Sequence, residues 1–103
     1  MSIVAKLAGT EEPHFSVHEF NAVMLGWLMD DFTSAQSIAA LESLFGHTLT
    51  AAEQTELTDI RTHFDALSND GKNQYWHRFE AYALLLQRGV MTETQYRSLM
   101  GIT

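Results

Sequence analysis

Residues 17–32, VHEFNAVMLGWLMDDF, constrain this chain more than any other stretch. At about 100° per residue, Phe20, Val23, Met24, Trp27 and Leu28 share one face, while Ala22, Leu25 and Met29 occupy the opposite side. From Phe20 on, only Asn21, Asp30 and Asp31 interrupt the apolar surface. A helix apolar around so much of its circumference must be covered on several sides, by other elements or by another chain. It is too short, and too acidic at its end, to cross a bilayer, which takes roughly 20 apolar residues. The expected fold is all-α: a single compact bundle of about five short helices around this central helix, with an N-terminal arm.

The helix starts are written in the same code. Ser16/Glu19, Thr33/Gln36, Thr50/Glu53 and Thr92/Gln95 all fit the capping box, in which the hydroxyl accepts from the amide three residues on and the longer side chain reaches back. Phe15 and Phe20 stand at staple spacing around the first, Met91 and Tyr96 around the last. The helices then fall at residues 17–32, from Thr33 through Phe45 with Gly46 as the stop, at 51–67, at 72–88, and in a short run to Met100. Ser68-Asn69-Asp70-Gly71 reads as a turn. No alternating run is long enough for a strand. The expected core is Phe20, Met24, Trp27, Leu28, Ile38, Leu41, Leu57, Ile60, Phe64, Trp76, Phe79 and Leu86.

A chain of 103 residues supports one core. Its 46% hydrophobic content is more than a disordered chain carries. The absence of cysteine excludes a disulfide framework, a thiolate zinc site and a Cys nucleophile. Residues 1–14 read as an arm with an apolar tip at Ile3, Val4 and Leu7, extended or with one helical turn. GTEEP at residues 9–13 breaks it from a helical domain spanning residues 15–103. The arm has neither the basic leader nor the apolar run of a signal peptide, so secretion by one is not expected. It either docks on its own domain or lies on a neighbour.

The formal charge of −7 is unevenly placed. Residues 1–50 set Lys6 against Glu11, Glu12, Glu19, Asp30, Asp31 and Glu42. Residues 51–71 set Arg61 against Glu53, Glu56, Asp59, Asp65 and Asp70. From residue 72 on, Lys72, Arg78, Arg88 and Arg97 outnumber Glu80 and Glu93. Such a dipolar chain suits head-to-tail contact between copies or an acidic face meeting a basic partner. It equally suits solvated helix faces of no consequence.

Chemistry is thinly represented. His14 and His18 straddle the cap at Ser16 and share no helical face; Asp59/His63 and His77/Glu80 are single pairs, too few for a metal. None of the expected helices carries Glu-x-x-His, the signature of di-metal carboxylate bundles. Serines and threonines occupy caps and turns, no nucleophile elbow or phosphate-binding glycine loop occurs, and the carboxylates stand among polar neighbours that imply solvation. The expectation is a protein that is not an enzyme and uses no metal or cofactor. Residues 84–101 outline helix, tight turn, helix, but the last helix carries only Arg97 as a basic reader on an acidic chain. Direct nucleic-acid binding is therefore not expected, and neither is a membrane partner.

The Gln87-Arg88-Gly89 turn, the Thr92-Glu93-Thr94-Gln95-Tyr96 opening and the terminal Leu99-Met100-Gly101 together resemble the short helix-turn-helix endings of small phage tail-module proteins. MSIVAKLAGT at residues 1–10 is similar to the start of small phage or prophage proteins of that kind. The resemblance covers short terminal stretches only. It implies a non-catalytic virion component, a structural, adaptor or assembly protein acting through protein–protein contacts, whose partners are other virion or assembly proteins or copies of itself. Read with the residues, the contact candidates are Ile3, Val4 and Leu7 of the arm and Arg88 and Arg97 of the basic end. The alternative is an acidic phage inhibitor that occupies a basic nucleic-acid-binding surface of a host protein.

Overall fold

The computed structural model describes residues 1–12 and 14–103; Pro13, expected in the break after the arm, lies outside them. Six helices follow in order: α1 Ile3–Leu7, α2 Val17–Leu28, α3 Ser34–Phe45, α4 Ala51–Asp65, α5 Asn69–Gln87 and α6 Glu93–Met100. No strand occurs among the described residues, and no helix there is long and apolar enough to cross a membrane. The domain is an all-α bundle.

The caps account for the starts. Thr33, Thr50 and Thr92 each close a reciprocal box with Gln36, Glu53 and Gln95. At Ser16 only half of the expected box forms: its hydroxyl accepts from the Glu19 amide, and the Glu19 side chain stays outside. Asn69, Asp70 and Gly71 are the first turn of α5 and not a loop. Ser68 explains this, since its hydroxyl accepts from the Gly71 amide at 3.1 Å; turn-forming residues are also those that favour helix starts.

Helix α2 stops four residues before the expected end. The Asp30 amide donates to the Trp27 carbonyl at 3.1 Å and the Asp31 amide to the Gly26 carbonyl at 2.8 Å, the paired bonds of a Schellman stop. Asp30 takes the left-handed position, φ 61°, where glycine is usual. Two carboxylates at the negative end of the helix dipole disfavour continuation. The chain then folds back so that the Phe32 ring lies on Gly26, where a Cβ would strike it.

The core gathers Phe20, Met24, Leu41, Phe45, Ile60, Phe79, Tyr96 and Met100 with α1. Helix α2 packs on α3 and α5, and α5, the longest helix, also touches α1, α4 and α6. Phe20 stacks against Phe79 with centroids 6.2 Å apart. Three expected core residues are placed otherwise: Trp27 and Trp76 are partly buried, and Ile38 is exposed. Helix α3 is rotated so that Ser37 faces inward with Leu41 and Phe45.

The arm is part of this core. Ile3, Val4 and Leu7 are almost wholly buried, and α1 rests on α5 and α6. Of the two expected fates, the structure shows docking on its own domain. These three side chains are therefore not a free partner surface.

Candidate functional site

Two features stand out from the packed helices: a set of buried charges around α1, and an open groove beside α4.

Lys6 and Glu53 are both wholly enclosed, with Nζ 3.0 Å from Oε2. Glu11 stands 3.5 Å from the same Nζ, the His47 Nε2 lies 3.8 Å from Glu53, and Lys6 sits over the Phe45 ring. The other Glu53 oxygen accepts from the Thr50 amide. Burial alone would raise the Glu53 pKa, but the Thr50 bonds and the Lys6 ammonium outweigh it and hold the carboxyl below its ordinary value. Glu11 is also lowered, first by the Ser2 amide that donates to it, against a smaller opposing effect of burial, and further by Lys6.

Glu56 sits at the opposite end of α1. Its carboxylate accepts from the Ile3 and Val4 amides and the Ser2 hydroxyl, capping helix amides that have no partner inside the helix. Arg97 donates to the same carboxylate at 3.1 Å. Glu53 and Glu56 thus correct the expectation that every carboxylate is solvated. They stand among polar residues in sequence, but Glu53 completes a cap and Glu56 meets a helix end brought to it from fifty residues away. Arg97, expected at a partner surface, is turned inward; Arg88, at the end of α5, is exposed.

The second feature is a groove of about 300 Å³ between α3 and α4. Leu41 and Leu57 floor it, Trp27 and the exposed Ile38 flank it, and Arg61 stands at its edge. Ser37 lines one wall, 2% exposed, with a hydroxyl that bonds to nothing else among the described residues. Arg61 is fixed: it donates to the Trp27 carbonyl at 2.8 Å, to Asp30 at 2.9 Å and to Asp65 at 3.1 Å, and lies over the Trp27 indole. The indole nitrogen donates to Ser34. Met29, 53% exposed, and Phe32, 43% exposed, lie in the turn after α2, where Met29 lines a separate cleft with Asp30, Lys72 and Trp76.

The histidine pairs expected from spacing are not the ones formed. His18 meets Glu80 across two helices at 2.9 Å, His63 packs on the Tyr75 ring, and Asp59 accepts from the amide and hydroxyl of Thr103. Among the described residues no group of three or more His, Asp or Glu is placed to hold a metal ion.

Comparisons with protein-family models, with curated proteins and with solved structures find no match to this chain.

Proposed function

We propose that this protein is a non-catalytic structural, adaptor or assembly component that works through protein–protein contacts, in keeping with its resemblance to small phage tail-module proteins. One observation carries the reading. Ile38, one of the large apolar side chains left exposed, lines the groove together with Trp27, Leu41 and Leu57. A single exposed apolar residue is ordinary, but one that opens into an apolar concavity marks a contact surface. This surface replaces the arm and Arg97 as the candidate interface, since both are engaged within the fold. An acidic inhibitor of a nucleic-acid-binding protein would need only the carboxylates Asp30, Asp31 and Asp65; the apolar side chains among them favour the adaptor reading.

The test is incorporation. Virions or assembly intermediates from the native host should contain the protein at fixed stoichiometry, and Ile38→Glu, folded and melting like the parent, should be missing from them. A protein absent from such particles, or an Ile38→Glu variant incorporated as well as the parent, overturns the proposal.

A further inference from the structure

We infer that the groove between α3 and α4 receives a basic amphipathic helix from a different protein, its apolar stripe on Trp27, Ile38, Leu41 and Leu57. The inference rests on the protein-contact reading above and gives that reading its partner class.

Shape comes first. Helix α4 lines the groove from Gln54 to Thr62, roughly 12 Å at 1.5 Å per residue, and α3 lines it with Ser37, Ile38 and Leu41; the two helices are not closely packed on each other. The space between them, about 300 Å³, is at the small end for ligand pockets. It suits a row of side chains laid in from one helix face, the recognition mode that uses anchors at i, i+3, i+4 and i+7.

Charge then selects the occupant. Asp30 and Asp65 share the single guanidinium of Arg61, Asp31, next to Asp30 in the chain, is exposed, and Lys72, which lines the neighbouring cleft with Asp30, still leaves these carboxylates in excess. The rim therefore keeps a negative excess that Lys or Arg flanking an apolar stripe would neutralise. A second copy of this chain is a poor donor of that charge. Lys6 is enclosed, Arg61 and Arg97 are engaged by carboxylates, Lys72 lies over its own Phe64 ring in a cleft it shares with Asp30, and Arg78 and Arg88 are matched in number by Glu80 and Glu93. Copies carrying −7 each also repel.

The experiment titrates a synthetic amphipathic peptide of roughly 18 residues, long enough to form a helix on binding, with a leucine stripe flanked by lysines. Trp27 emission in a Trp76→Phe background reports occupancy, because Trp27 is in the groove and Trp76 is not. Saturable binding is expected that falls with salt. Ile38→Glu and, separately, Asp31→Lys should each weaken it by about tenfold or more, and the same stripe flanked by glutamates should not bind. No binding of the lysine peptide, or equal binding of the glutamate peptide, overturns the inference. So does a concentration-dependent dimer in sedimentation that Ile38→Glu abolishes, which assigns the groove to a second copy. If the lysine peptide fails while Ile38→Glu still blocks particle incorporation, the partner class is wrong and the protein-contact reading stands. If Ile38→Glu is incorporated normally, that reading falls as well, and the inference with it.

Discussion

In the first half of α4, Glu53 and Glu56 point into the fold and close it around α1; in the second half, Arg61 and Asp65 stand outside, at the end of a groove that the helix lines from Gln54 on. The same helix spends its charges in two ways. Inside, each carboxylate is taken up by backbone amides and a cation, the condition under which a buried charge is tolerated. Outside, the guanidinium is held by two exposed carboxylates, an arrangement worth little to stability but one that sets the charge of an apolar rim. The inward carboxylates of α4 hold the N-terminus, and across the groove from Arg61 the apolar Ile38 of α3 stays exposed.

The contrast is most sharply tested by removing what the closed half holds. Deleting residues 1–8 takes Ile3, Val4 and Leu7 from the core, at roughly 1.5–3 kcal/mol each before the ordering entropy that offsets part of it. Against a typical total of about 5–15 kcal/mol, the truncated chain should lose most or all of its cooperative thermal transition by circular dichroism. A truncation that melts like the parent would mean that α1 is an accessory strap and that the two halves of α4 do not differ in kind.

Next in size is Lys6→Met, which leaves Glu53 enclosed without its cation. Breaking a buried pair from one side costs about 3–5 kcal/mol, measurable by urea denaturation. The double variant Lys6→Met/Glu53→Gln should recover part of this, because no uncompensated charge remains. If the double variant is as unstable as both single changes added together, the pair is not a unit. Ile38→Glu, on α3 across the groove, should leave the urea midpoint nearly unchanged.

The pH dependence should follow the closed half. Glu53 and Glu11 have folded-state pKa values below the ordinary 4.5, so the unfolded chain binds their protons first. Their stabilisation is complete above that value and is lost as pH falls through the lowered folded values. At the other extreme, burial raises the Tyr75 and Tyr96 phenols above their ordinary 10. That contribution is full below pH 10 and is lost as pH rises beyond it. Urea midpoints should therefore form a plateau between these limits. In Glu53→Gln the acid edge should flatten, and an unchanged acid edge would show that other carboxylates govern it.

Helix boundaries were legible because caps are local: a hydroxyl and a Glu or Gln three residues apart identify themselves without knowledge of the fold. Capping strength also misled at Ser68, where the same residue types serve a turn and a helix start. The stripe of α4 was readable by spacing, since Leu57, Ile60 and Phe64 do face inward. That of α3 was not: Ile38 is the larger apolar residue, but its helix is seated so that Ser37 takes the buried position. Packing against α2 decides that rotation, and a single helix carries no record of it. The buried charges were out of reach for a related reason. Nothing near Glu56 in sequence announces that the amides of residues 3 and 4 will arrive at its carboxylate. The fold was thus largely readable and the groove was not, because a groove is the gap between helices whose rotations are set elsewhere.

The smallest expected effect probes the open corner at Asp30. It holds a left-handed conformation, φ 61°, at the Schellman position, and that conformation costs an L-residue roughly 1–2 kcal/mol, less for Asp. Replacing it by Ala keeps the strain, removes the easing side chain and breaks the exposed pair with Arg61, worth about 0.2–1 kcal/mol. Replacing it by Gly breaks the same pair but relieves the strain, while the freer unfolded chain costs about 0.4–1 kcal/mol. Asp30→Ala should therefore lose about 1–2 kcal/mol, and Asp30→Gly should lie within about 0.5 kcal/mol of the parent, read as shifts in the urea midpoint. The difference between the two isolates the backbone contribution, since both lack the carboxylate. If Ala and Gly are equally tolerated, the turn is not strained, and the early stop of α2 follows from the carboxylates at its end alone. If Gly is markedly worse, the Asp30 to Arg61 pair holds the corner together, and the open half of α4 relies on its charges as the closed half does.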